Sequence, residues 1–206
     1  MARHRPGPGE ELNDGPPTEP RPAATVVVLR GGAERLEVLL VQRNPAARFM
    51  GGAWVFPGGA LDGAEDPRAA AVREVAEEAG VSLPDPTALV EFSRWITPAQ
   101  VRIRFDTHFF LAPAPDGAAP RPDGGETVGA AWRAPADALD LYARGELELV
   151  FPTIKTLEAL SGFASADELL AWADGRAVEH VALPVLGLAE PARGRVEGAP
   201  RHAQHA

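Results

Sequence analysis

Arg73, Glu74, Glu77 and Glu78 crowd one short stretch of this chain. On a helix, Glu74 and Glu78 stand at i, i+4, and Glu74 and Glu77 at i, i+3, so these carboxylates share one side. Like charges at that spacing repel each other. Arg73 lies i, i+4 from Glu77 and offsets one of them. A hard divalent cation with oxygen ligands can offset the rest, and magnesium or manganese suits carboxylates. The plainer reading of such a run is a solvated acidic face.

The elements that must position these residues can be read from pattern and punctuation. Asp66-Pro67 starts a helix, with Asp66 as N-cap and Pro67 at the first helical position, and Gly80 ends it. Val72, Val75, Ala76 and Ala79 form its expected apolar stripe. Thr25 to Leu29, Leu36 to Arg43 and Trp54 to Phe56 read as strands, the second buried on both faces. Leu89 to Ile96 and Val101 to Leu111 follow. In the latter, Val101, Ile103, Phe105, Thr107 and Phe109 share one face, and Arg102, Arg104, Asp106 and His108 the other. Ala130 to Trp132 reads as one more strand. Helices are expected over Pro135 to Arg144, from Phe151-Pro152-Thr153 to Gly162, and over Ser165 to Ala173. Strands mixed with helices, without strict alternation, predict an α/β fold with a mixed sheet packed by helices.

Residues 1–22 carry Pro6, Pro8, Pro16, Pro17, Pro20 and Pro22 with glycines between, and residues 189–206 are similar. Both are expected to be disordered arms, because they bury too little apolar surface to offset ordering entropy. Residues 23–188 between them form one domain of ordinary length. Twenty basic against 29 acidic residues give a net charge of −9, which argues against a nucleic-acid binder. An anionic small molecule can still bind such a chain if a divalent metal reverses the local field. The absence of cysteine excludes disulfides, thiolate metal sites and a cysteine nucleophile. No apolar run reaches the roughly 18 residues that span a bilayer, and no signal peptide is expected from the acidic, Pro-rich start. A cytoplasmic location with no membrane partner is expected. His4, His202 and His205 sit in the arms and suggest no metal site, and His108 reads as a structural strand histidine. Trp54, Phe56, Trp95 and Trp132 read as core.

Gly59, five residues, Glu65, seven residues, Arg73-Glu74, Val75, one residue, Glu77-Glu78, one residue, Gly80 and Val81 reproduce the signature of the Nudix hydrolases. At roughly one in ten for each exact position, over about 200 starts, chance gives on the order of 10⁻⁵. The resemblance implies a Nudix-type α/β/α sandwich with a mixed β-sheet and a short helical C-terminal extension from about residue 151. It implies metal-dependent hydrolysis of a diphosphate linked to another moiety, with Mg2+ or Mn2+ as cofactor. Glu77 and Glu78 would be metal ligands, and Glu74 a ligand or the water-activating base. The Gly58 carbonyl would be a further ligand. Glu65 would support the site beside Gly59, and Arg73 would orient a glutamate. Glu126, ahead of the Trp132 strand, is the candidate for one more glutamate from a distant loop.

Substrate choice lies outside this box. Leu39 to Asn44, then Arg48, Gly52 and Phe56-Pro57-Gly58-Gly59, resemble the extra motif of coenzyme A diphosphatases, with Val41 and Asn44 departing from it. Arg94 to Pro98, Arg104 to Phe110 and Phe151 to Thr153 resemble the CoA and acyl-CoA branch of the family. Arg43, Arg48 and Arg104 are therefore candidate substrate-binding residues, since guanidinium binds phosphate bidentately. The implied partner is a small-molecule diphosphate, CoA or acyl-CoA first. ADP-ribose or NADH hydrolysis is the alternative, followed by a catalytically silent binding module. The oligomeric state is left open.

Overall fold

The computed structural model describes residues 12–13 and 15–182. An eight-stranded mixed sheet runs in the order β3-β2-β1-β6-β5-β8, with β4 paired to β1 and β7 to β2. The strands are β1 (Arg21–Arg30), β2 (Glu37–Arg43), β3 (Trp54–Val55), β4 (Gly58–Ala60), β5 (Val90–Ile96), β6 (Phe105–Pro113), β7 (Thr127–Arg133) and β8 (Glu179–Ala182). The helices are α1 (Pro67–Ala79), α2 (Pro135–Ala143), α3 (Phe151–Leu160) and α4 (Ala166–Ala173). β1 is parallel to β6 and antiparallel to β2 and β4.

Alternation along the central strands divides the core into two layers. Ala24, Val26 and Val28 of β1, with Leu39 and Val41 of β2, pack on α1 through Ala70, Ala71, Val75 and Ala79. Val27 and Leu29, with Val38 and Leu40, pack on the opposite side with Ala138, Leu157, Leu160 and Leu169 of α2, α3 and α4. The result is the expected α/β/α sandwich. The helices after residue 151, the expected C-terminal extension, supply Leu157, Leu160 and Leu169 to one core layer.

Both ends of α1 form as the sequence reading requires. Asp66 Oδ1 accepts from the Arg68 and Ala69 amides at 2.8 and 3.3 Å, and Gly80 closes the helix at φ 62°. The buried stripe differs from the expected one. Ala71, Val75 and Ala79 are buried and so is Glu78, whereas Ala76 is exposed. Alanines carry little face information, and the glutamate itself occupies the inner side of the helix.

The sheet edges also differ. β1 begins at Arg21, inside the stretch expected to be an arm. Residues ahead of it lie along 100–104: the Asn13 amide donates to the Gln100 carbonyl at 2.7 Å, and Leu12 bridges Val101. Backbone pairing thus orders a Pro-rich stretch that composition alone marks as unstructured. Residues 1–11 of that arm and the 189–206 tail lie outside the described residues. β6 starts at Phe105 rather than Val101, because the chain first turns at Val101, whose amide donates to the Pro98 carbonyl at 3.1 Å. β4, two glycines and an alanine, gives no side-chain pattern and is legible only from its pairing with β1.

Candidate active site

The site is built where α1 faces β4. Thr25 of β1 pairs with Gly58, and Ala24 with Gly59. A Cβ on Gly58 would lie 2.7 Å from the Thr25 Cα, and one on Gly59 would lie 2.6 Å from the Glu74 Cδ. A side chain at Gly58 would collide with the β1 backbone, whereas one at Gly59 would displace the Glu74 carboxylate.

Glu78 is 2% exposed, and its Oε2 accepts from the Gly58 amide at 3.0 Å. Its Oε1 is buried with no hydrogen-bond partner among the described residues. Burial, reinforced by the charges of Glu74 and Glu126, pushes its carboxyl up to about 8, against the pull of the Gly58 amide. Glu74 is raised as well, chiefly by burial, with Arg73 opposing and Glu77 and Glu126 adding repulsion.

Arg73 is the hub of the acidic edge. Its guanidinium meets Glu65 at 3.1 and 3.0 Å, Glu74 at 2.9 Å and Glu77 at 3.0 Å. The Arg73 hydrogen bonds hold the Glu65 carboxyl below the usual range, helped by the Asp62 amide. Glu77 remains at the outer edge of α1, its side chain 60% exposed. Glu74 and Glu78 therefore turn toward Gly58 and Gly59, while Glu77 stays on Arg73.

Glu126 arrives from the loop before β7. Asp123 accepts from the Glu126 and Thr127 amides at 3.0 and 2.7 Å, which draws its carboxyl down to about 2. Glu126 then pairs with Arg43 at 3.2 Å. Asp123 and Thr127 were missed in the sequence, although Asp followed by amides three and four residues on is a turn signal.

The other candidates fall differently. Arg43 also donates to the Phe49 carbonyl at 3.2 Å, so its guanidinium is committed to protein. Arg48 is exposed on a turn and does not line the pocket described next. Arg104 bonds the carbonyls of Thr97 and Thr18 and is also outside that lining. Its expected face of β6 does not exist at residue 104, which precedes the strand.

Beside Gly58 and Gly59 opens a pocket of about 350 Å³. Its walls include Phe49, Met50, Val55, Phe56, Trp95, Phe105, Phe109 and Phe151, with Arg21, Arg43 and Glu126 as the charged members. Trp95 and Phe56 thus serve core and pocket together.

Among the described residues, no three Asp, Glu or His side chains are gathered to close on a metal ion as they stand. The donor chemistry nevertheless fits a hard cation. Glu78 has an orphaned buried oxygen, and the mutual repulsion of Glu74, Glu78 and Glu126 is what a divalent ion would relieve.

A mixed sheet between helical layers, with one helix setting buried glutamates against a glycine strand, defines the Nudix class of α/β fold. The chain belongs to the Nudix family, since residues 19–153 match the NUDIX domain. Nudix hydrolases act on phosphorus-containing anhydrides. Over 107 residues the chain is 35% identical to acyl-coenzyme A diphosphatase NUDT19 of Homo sapiens, covering 50% of this chain and 28% of that protein. It is 29% identical over 180 residues to putative nudix hydrolase 7 of Caenorhabditis elegans, covering 68% and 60%. The chain thus spans less than two thirds of either relative. The crystal structure of a NUDIX hydrolase from Alicyclobacillus acidocaldarius is similar at TM-score 0.67 and 31% identity, covering 75% of this chain and 96% of that one. Among the described residues, no helix is long and apolar enough to cross a membrane.

Proposed function

We propose that the protein is a divalent-metal-dependent diphosphatase of CoA or acyl-CoA, releasing 3′,5′-ADP and (acyl-)phosphopantetheine. The observation that carries the substrate class is the pocket: it shares Gly58 and Gly59 with the acidic site, and its walls are mostly aromatic and aliphatic. The terminal ribose of ADP-ribose, which has no counterpart in CoA, would bring further hydroxyls into surroundings with few partners, at the cost of each unmade hydrogen bond. An acyl chain, and the methyl and methylene groups of a pantetheine arm, suit the same walls. The similarity to an acyl-coenzyme A diphosphatase supports the same direction.

Glu74 and Glu78, with the Gly58 carbonyl, would hold the ion, and Glu77 would join them on giving up its Arg73 hydrogen bond. A bound Mg2+ or Mn2+ supplies charge neutralisation on the phosphoryl oxygens and makes nearby water more acidic. Arg73 keeps the Glu74 carboxylate oriented toward Gly59 and opposes its protonation. Glu74 or Glu126 takes the proton of the attacking water as the new P–O bond forms. The bridging P–O bond breaks, and its oxygen leaves with the second phosphoryl fragment. Asp123 accepts from the Glu126 amide and so fixes the loop that carries this glutamate.

The test is a panel of CoA, an acyl-CoA, ADP-ribose and NADH with magnesium, with products identified by mass. Release of 3′,5′-ADP from the CoA compounds, faster than cleavage of the other two, is the expected result. Cleavage of ADP-ribose or NADH with CoA left intact would overturn the substrate class.

A further inference from the structure

We infer that Arg21 is a specificity-determining residue that binds a second anionic group of the substrate, a phosphate monoester set along β1 from the diphosphate. This rests on the proposed diphosphatase reading for its substrate class and deepens it.

The charged residues lining the pocket are Arg21, Arg43 and Glu126. Arg43 and Glu126 are paired with each other at 3.2 Å. Arg21 is exposed at the start of β1 and has no ion pair or side-chain hydrogen bond among the described residues. Its backbone is fixed by the bond from its amide to the Arg104 carbonyl at 2.9 Å, so the side chain alone is left to adapt.

Its place along the strand fits the role. Arg21, Ala23 and Thr25 line the same wall, and their alternation on β1 sets all three on one face. Thr25 pairs with Gly58 at the acidic site, and Ala23 with Ala60. Four residues of strand put the Arg21 and Thr25 Cα atoms ~13 Å apart. An extended arginine reaching back shortens that gap to the scale of a ribose. Ala23 and Ala60 are small, so the wall between the two sites is low. A phosphate lying outside the divalent ion's immediate field needs a cation of its own, and a guanidinium fork is suited to it. In CoA the group so placed is the 3′-phosphate.

The test compares binding of 3′,5′-ADP and 5′-AMP, which differ in that phosphate alone, by calorimetry with magnesium present. The wild-type protein is expected to bind 3′,5′-ADP more tightly. R21A is expected to lose about tenfold in affinity for 3′,5′-ADP while keeping its AMP affinity, the size of one charge-assisted contact. R21Q, with thermal melts alongside, gives the same readout if the alanine variant folds poorly. Equal binding of both nucleotides by the wild-type protein, or an undiminished preference in the variants, would overturn the assignment. Failure to cleave CoA would remove the proposed function and leave this binding difference standing. A protein that cleaves CoA but binds the two nucleotides alike would remove only Arg21.

Discussion

The Thr127 hydroxyl lies 2.6 Å from the Glu78 carbonyl oxygen and 2.9 Å from the Asp123 carboxylate. Its single proton serves the closer acceptor, so one side chain joins the last turn of α1 to the loop that carries Glu126. The glutamates at 78 and 126 are 48 residues apart in the sequence, and this hydroxyl is what registers them against each other.

Thr127→Val keeps the shape and removes the donor. Leaving the Glu78 carbonyl without it is expected to cost about 1–3 kcal/mol in denaturant melts, with slower turnover as the Glu126 loop loosens. Thr127→Ser should recover most of both. A valine variant with wild-type stability and rate would show that the contact positions nothing.

Gly58 and Gly59 separate backbone from side-chain demands. Gly59→Ala pushes a Cβ into the Glu74 carboxylate, so turnover should fall at least tenfold with the fold kept, since the loss of one positioned group typically costs that much. Gly58→Ala meets the Thr25 backbone, which cannot swing aside, and should lower stability by about 1–3 kcal/mol. Paired melts and rates distinguish the two. A fully active Gly59→Ala protein would mean that the Glu74 position is unimportant.

How far the sequence carried can be seen at α1. Its start at Asp66, its end at Gly80 and its row of carboxylates were legible, because caps and box spacing are local. Which glutamate turns inward was not. Ala71 and Ala76 look alike in sequence, and only contact with β1 and β4 makes the first buried, the second exposed, and Glu78 an interior residue. The surroundings of the candidate arginines are hidden for a related reason. Arg43, Arg48 and Arg104 stand out by type and motif, whereas a guanidinium's partners lie far off in the chain, here Glu126 for Arg43 and Thr18 for Arg104. Arg21 was hidden in a stretch whose prolines mark it as unstructured.

The buried Glu78 makes the metal-free protein sensitive to pH. Its folded carboxyl titrates at about 8 against an ordinary value of 4.5, so the folded state binds the proton more tightly than the unfolded chain. The sign follows: that stabilisation is fully present below 4.5 and is lost as pH rises through about 8. In the presence of a chelator, the wild-type melting temperature should fall relative to that of Glu78→Gln across this window. Parallel curves for the two proteins would refute the shift.

The α1 carboxylates and their divalent ion are tested most directly by the magnesium dependence of CoA hydrolysis in wild-type protein and Glu78→Gln, each checked for folding by its melt. The expected result is a rate loss well over tenfold, with half-saturation moved to higher magnesium, because an ion at the phosphoryl oxygens supplies several kcal/mol at the transition state. Hydrolysis by Glu78→Gln at the wild-type rate and with the wild-type magnesium requirement would contradict it.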